Sequence, residues 1–77
     1  MRFHVKPYGV PNRRESREVR ATATPKAEPV FTIDADTDTA ARSAIRERFA
    51  RIGRAVRSIN CMDATDPCKL VVYAEAK

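Results

Sequence analysis

The sequence contains few of the residues from which catalytic and cofactor sites are usually built. It has one histidine, two glycines, two cysteines and no tryptophan among 77 residues. With Gly9 and Gly53 as the only glycines, the chain cannot form a glycine-rich phosphate loop. Nothing couples His4, the only histidine, to a serine or cysteine nucleophile. We therefore expect no enzymatic activity and no cofactor.

Long apolar runs are also missing. The longest covers residues 70–74 (LVVYA) and is far too short to span a bilayer. Residues 1–6 lack the apolar core of a secretory signal peptide. Two cysteines are too few for the disulfide framework of a small secreted domain. We expect a cytoplasmic protein without membrane association, in which Cys61 and Cys68 are reduced.

The acidic residues Asp34, Asp36 and Asp38 are spaced like the start of a calcium-binding loop. Such a loop also needs glycine at its sixth position and glutamate at its twelfth. This chain has Thr39 and Ile45 at those positions. The pattern instead indicates the end of a strand followed by an acidic helix start.

The cysteine pair permits three interpretations. Two buried free thiols are the simplest, because cysteine behaves as a small hydrophobic residue. If the flanking strands form a hairpin around residues 62–67, Cys61 and Cys68 could face each other closely enough for a disulfide. A zinc site with His4 needs four ligands, so one chain offers too few and a dimer would have to share the metal. We predict no metal site.

Alternating polarity predicts five strands, and a 3.6-residue apolar period predicts one helix. Asp36, Thr37 or Asp38 can cap the start of the helix, because a short side-chain oxygen accepts hydrogen bonds from free amides. Gly53 suits its left-handed end. The strands are predicted at residues 2–8, 15–24, 30–35, 55–61 and 68–75. The predicted core consists of Phe3, Val5, Val19, Phe31, Ile33, Ala41, Ile45, Phe49, Ile52, Ile59, Leu70 and Val72.

The order β-β-β-α-β-β predicts one small α+β domain that spans residues 1–77. One amphipathic helix can be covered by one sheet, so we expect a two-layer sandwich with the helix across one face of a mostly antiparallel sheet. The second strand has a thin apolar face of Val19 and alanines, which predicts either a position at a sheet edge or loose pairing.

Positive charge is the other clear feature. Lys and Arg number 15 against 10 Asp and Glu, and the net charge is +5. Arginine is a rigid fork of donors that suits phosphate and base recognition, with Tyr8 or Tyr73 available to stack on a base. Acidic residues interrupt the basic clusters, so an ordinary solvated surface is the alternative. The candidate contact residues are Arg13, Arg14, Arg17, Arg20, Arg54, Arg57 and Tyr8.

Together these features predict a small non-enzymatic interaction module. A small domain with a thin edge strand favours a protein partner or a homodimer. The alternative is a basic nucleic-acid-binding protein that uses an Arg-rich edge formed by Arg13, Arg14, Arg17 and Arg20.

Overall fold

The structure, a computed structural model, describes residues 1–12, 14 and 17–76. Its α+β class is the one predicted: a five-stranded sheet carries one long helix. No helix in the described part of the chain is long and apolar enough to cross a membrane. The elements in chain order are β1 (Arg2–Val10), α1 (Arg17–Thr22), β2 (Lys26–Ala27), β3 (Phe31–Asp34), α2 (Asp38–Arg51), β4 (Val56–Asp63) and β5 (Asp66–Glu75).

Strands β1 and β5 form the centre of the sheet and run parallel, from His4 opposite Lys69 to Val10 opposite Glu75. Strand β4 pairs antiparallel with β5, and both β2 and β3 pair antiparallel with β1. The prediction of a mostly antiparallel sheet is confirmed. Strands β3 and β4 therefore run in the same direction, and α2 crosses the sheet to connect them.

The edge beside β1 is divided into β2 and β3 at a proline. Between Val5 and Tyr8, two residues of β1 lie opposite three residues, 28–30, of the segment that joins β2 to β3. The Pro7 carbonyl accepts a hydrogen bond from the Glu28 amide at 3.0 Å, so Pro7 faces this irregular stretch. Proline has no amide hydrogen to donate to a ladder. The break lets a proline occupy an inner strand without losing a regular sheet hydrogen bond.

Helix α2 begins and ends as its sequence predicts. The Thr37 hydroxyl oxygen accepts a hydrogen bond from the Ala40 amide at 3.1 Å, so Thr37 is the N-cap. Gly53 follows the helix with φ of 73°, a conformation that favours glycine. The helix buries one stripe against the sheet. The buried core is Phe3, Val5, Ala41, Ile45, Phe49, Ile59, Leu70, Val72 and Ala74.

The strand predicted over residues 15–24 is wrong in its described part. Residues Arg17–Thr22 form the short helix α1, and the Ala23 amide donates to the Val19 carbonyl at 2.9 Å. Glu15 and Ser16 lie outside the described residues. The short strand β2 lies between the strands predicted at residues 15–24 and 30–35, where no element is predicted, so the observed order is β-α-β-β-α-β-β.

Two predicted core residues are largely exposed. Val19 lies in α1, outside the core cluster, and is 48% exposed. Ile52 is 46% exposed because it follows the last turn of α2. Phe31 and Ile33 are partly buried and pack against the core.

Candidate functional site

Helix α2 covers one face of the sheet and leaves the opposite face accessible. Side chains alternate along a strand, so paired residues of β1 and β5 point to the same side. Phe3, Val5 and Leu70 are fully buried under α2, whereas His4 and Lys69 are exposed. We call the accessible side the open face. It comprises His4, Lys6, Tyr8, Lys69, Val71 and Tyr73, with Val30, Arg57 and Met62 at its margins.

Two tyrosines occupy the middle of the open face. Tyr8 and Tyr73 are direct partners on parallel strands, and their rings are stacked with centroids 5.4 Å apart and planes at 19°. Both side chains are half-buried. The Lys6 ammonium lies 5.7 Å from the centroid of the Tyr8 ring. Rings this close and this nearly parallel are stacked face to face with an offset, so each ring covers one face of the other and keeps its outer face and edge for another group. We call this stacked pair, with the Lys6 cation over the Tyr8 ring, the tyrosine platform.

One end of the open face forms a cavity of about 290 Å³. Its apolar walls are Val30 and Met62, which are 59% and 46% exposed. We call it the basic pocket, because the other described residues that line it are His4, Lys6 and Lys69.

The opposite end carries Arg57. A second cavity of about 280 Å³ lies there, lined by Tyr73, Arg57 and the apolar residues Val10, Pro11, Ala23 and Pro25. The exposed Arg57 side chain donates to the Pro11 carbonyl at 3.4 Å. The carboxylate-bearing Glu75 lies opposite Val10 in the sheet at this end. Cations thus flank the tyrosine platform on both sides.

The structure brings only part of the predicted contact set to this face. Tyr8 and Arg57 belong to it. Arg14 and Arg17 are exposed, Arg14 between β1 and α1 and Arg17 at the start of α1. Arg13 and the side chain of Arg20 lie outside the described part of the chain.

Arg54, also a predicted contact residue, is held in a structural ion pair. Two of its guanidinium nitrogens donate to the two carboxylate oxygens of Glu28, each at 2.6 Å, and its Nε donates to the Glu75 carbonyl at 2.7 Å. The Arg54 side chain is only 11% exposed and lies 5.0 Å from the Phe49 ring centroid. The hydrogen bond from Arg54 lowers the pKa of the Glu28 carboxyl, and the same bond raises the pKa of Arg54. We call this pair the Arg54–Glu28 clamp and leave it out of the candidate site.

The cysteines do not face each other in the hairpin register. Cys61 lies opposite Leu70, and the register shifts between Cys61 and Asp63. Both thiols are free, but Cys61 is exposed rather than buried because it lies beyond Ile59, where β4 leaves the core. Among the described residues, no three metal-binding side chains come together.

Sequence reasoning missed Lys69, Val30 and Met62. The alternation of β5 already places Lys69 on the same face as Tyr73, so this residue could have been found once Tyr73 was chosen. Val30 and Met62 reach the face through an irregular edge and an extended β4, for which the sequence contains no local signal.

Comparison with known proteins adds no functional information. No family model matches the sequence, and no curated protein or solved structure is significantly similar to it. The functional inference therefore rests on the chemistry of the open face.

Proposed function

We propose that the protein is a non-enzymatic module that binds single-stranded nucleic acid on its open face. The observation that carries the proposal is the stacked Tyr8–Tyr73 pair with Lys6 beside it. Proteins bind single strands by stacking bases on aromatic rings and contacting phosphates with Lys and Arg. Sheet faces with aromatic residues are one established way to receive unstacked bases.

The form of the platform favours a single strand over a duplex. The two tyrosine rings already stack on each other, so only their outer faces can receive a base, and that base must have a free face of its own. Bases in a duplex are stacked on each other, so a duplex could reach only the cations Lys6, Lys69 and Arg57. We therefore expect duplex binding to be weaker and purely electrostatic.

A protein partner on the same face is the second candidate, because Val30 and Met62 are exposed apolar residues. Self-association there is less favourable, since it would bring Lys6 and Lys69 of one copy against the same cations of another. An acidic partner would avoid this repulsion.

Strand addition at the β4 edge is a poorer route to a dimer. The Arg42 guanidinium donates to the Ile59 carbonyl at 2.8 Å and so occupies one acceptor of this edge. The pairing register of β4 also shifts twice, which is typical of edges that do not accept another strand.

We also infer that the protein acts in the cytoplasm. Two free thiols, one of them exposed on Cys61, suit a compartment that keeps thiols reduced.

Fluorescence anisotropy with a labelled oligothymidylate and a duplex of equal length tests the proposal. We expect tighter binding of the single strand, with a log–log salt slope near −2 for about three phosphate contacts.

Replacing Tyr8→Leu or Tyr73→Leu removes a stacking ring but keeps an apolar side chain. Each change should weaken binding about 5- to 150-fold, which corresponds to 1–3 kcal/mol of base stacking.

A charge control separates the open face from general attraction to a basic protein. Lys69→Gln should weaken binding and reduce the salt slope by about 0.7. Lys26→Gln removes the same charge from β2, outside the open face, and should change neither the affinity nor the salt slope. A folded protein that binds no single strand at low salt would contradict the proposal and leave the second candidate, an acidic protein partner on the same face.

A further inference from the structure

The basic pocket differs from a simple phosphate contact because its walls are apolar. Val30 and Met62 are both large and exposed there, next to His4, Lys6 and Lys69. A cavity of about 290 Å³ lies just below the usual range for ligand pockets, roughly 300–1,000 Å³. A single nucleotide suits it, since its base has apolar faces for Val30 and Met62 and its phosphate can lie beside the cations. The Met62 thioether can contact an aromatic ring favourably.

Lys6 makes the pocket continuous with the tyrosine platform. Its side chain lines the pocket, and its ammonium lies 5.7 Å from the Tyr8 ring centroid. The row that joins His4 to Lys69 is four residues along β1 from the row that joins Tyr8 to Tyr73. At about 3.3 Å per residue, the two rows are roughly 13 Å apart.

We propose that the basic pocket is a second base-binding subsite, so that the open face holds two separated nucleotides of one strand. The inference rests on the proposed function and adds a minimum ligand length to it. A dinucleotide has only one step between its two bases, so it cannot reach both subsites. Bases that unstack on this face lengthen each step, and even the shortest step, that of stacked nucleotides, is about 3.4 Å. About four such steps cover the separation, and a strand of six nucleotides is long enough.

A length series of oligothymidylates with two, four and six nucleotides tests the subsite by calorimetry or competition. Occupying a second linked subsite raises affinity about 10²- to 10⁴-fold. We expect the hexanucleotide to bind at least about 100-fold more tightly than the dinucleotide. Because a longer strand also carries more charge, the decisive comparison is with a variant of unchanged charge.

That variant is Val30→Thr with Met62→Gln, which keeps side-chain size and makes the pocket walls polar. We expect its hexanucleotide affinity to fall at least about tenfold while dinucleotide affinity stays within about twofold. The matched control is Val19→Thr with Ile52→Gln, since these two side chains are 48% and 46% exposed outside the open face. The control should keep the affinities of the unmodified protein.

The methyl resonance of Met62 gives an independent readout by NMR. It should shift when the hexanucleotide binds, at a ligand concentration at which the more weakly bound dinucleotide leaves it nearly unchanged. An unchanged length dependence in the pocket variant, or an unmoved Met62 methyl, would overturn the second subsite and leave the proposed function standing. Loss of the length dependence in the control as well would also overturn the subsite. Absence of hexanucleotide binding at low salt would overturn the proposed function itself.

Discussion

The contacts around Gly9 explain why a glycine lies within the inner strand β1. A Cβ atom at this position would meet the Glu28 Oε2 atom at 2.7 Å, and real Cβ atoms are almost never so close to another atom. Glu28 cannot move away freely because Arg54 holds both of its carboxylate oxygens. Gly9 therefore provides the space in which the Arg54–Glu28 clamp connects the edge of the sheet to the end of β5.

The first prediction is that Gly9→Ala destabilises the fold by about 1–3 kcal/mol, the usual cost of overpacking a tight site. Urea unfolding followed by circular dichroism measures the change. In a Glu28→Ala background the added methyl group has no carboxylate to displace, so the same substitution should cost much less. Equal costs in the two backgrounds would contradict the explanation.

The second prediction concerns acid. The hydrogen bond from Arg54 lowers the pKa of Glu28 below its ordinary value of 4.5. A carboxyl with a lowered folded-state pKa stabilises the protein above its unfolded-state pKa, and this contribution disappears as pH falls through the folded-state pKa. The difference in free energy of unfolding between the natural chain and Glu28→Gln should therefore be largest near neutral pH and shrink below pH 4.5.

Urea unfolding at several pH values gives this difference directly. Glu47→Gln is the control, because it removes the carboxylate of the exposed Arg51–Glu47 pair. An exposed pair contributes little, so the control should change the free energy of unfolding by less than about 0.5 kcal/mol. A difference for Glu28→Gln that stays constant from pH 7 to well below 4.5 would be inconsistent with a clamp that titrates.

At the scale of elements, α2 separates two residues that the sequence pattern treats alike. Phe49 and Ile52 fall on the same predicted apolar face, but Phe49 is 4% exposed and Ile52 is 46% exposed. Phe49 packs in the core beside Phe31, with ring centroids 6.2 Å apart. The third prediction is that Phe49→Ala costs about 3–5 kcal/mol, whereas Ile52→Ala costs less than about 1 kcal/mol.

Thermal or urea unfolding of the two variants checks this contrast. Similar losses of stability would mean that the helix buries a wider face than the structure shows. A Phe49→Ala variant that unfolds like the natural chain would contradict the assigned face of α2 altogether.

The two helices show how far local sequence signals reach. Helix α2 could be predicted because its N-cap, its apolar period and Gly53 all indicate the same helix. The apolar period is a reliable signal there because the residues that repeat, Ala41, Ile45 and Phe49, are the ones that the sheet buries. In α1, the alternation of Val19, Ala21 and Ala23 predicts a strand, but all three of these side chains are exposed in the structure. Where burial does not select a pattern, the helix propensity of Arg, Glu and Ala decides the local structure.

At the scale of the whole molecule, the open face depends on which strands become neighbours. Sequence alternation gives the faces of β1 and β5 separately and identifies Tyr8 and Tyr73 as alternative stacking residues. Only the parallel pairing of these strands puts the two rings together. Sheet order arises from long-range packing, and no local pattern contains it. The same limit explains Arg54, whose partner Glu28 is 26 residues away in the chain.

The last prediction compares the two basic surfaces of the molecule. The candidate residues predicted from the sequence fall on both surfaces: Arg14 and Arg17 lie in the Arg-rich segment between β1 and β2, whereas Tyr8 and Arg57 belong to the open face. Removing Arg14 and Arg17 takes two exposed charges from the segment, and removing Lys6 and Lys69 takes two from the open face. Both double variants lower the net charge from +5 to the same value, so a uniform electrostatic attraction would weaken the binding of single strands equally in both.

If single strands lie along the open face, Lys6→Gln with Lys69→Gln should reduce the salt slope by about 1.4, because each lost single-strand contact removes about 0.7. Arg14→Gln with Arg17→Gln should leave the slope nearly unchanged and weaken binding only slightly at low salt. Anisotropy titrations of a labelled oligothymidylate between about 0.05 and 0.2 M salt measure both slopes. A larger loss of slope in the arginine variant would transfer the binding surface from the open face to the segment that carries α1.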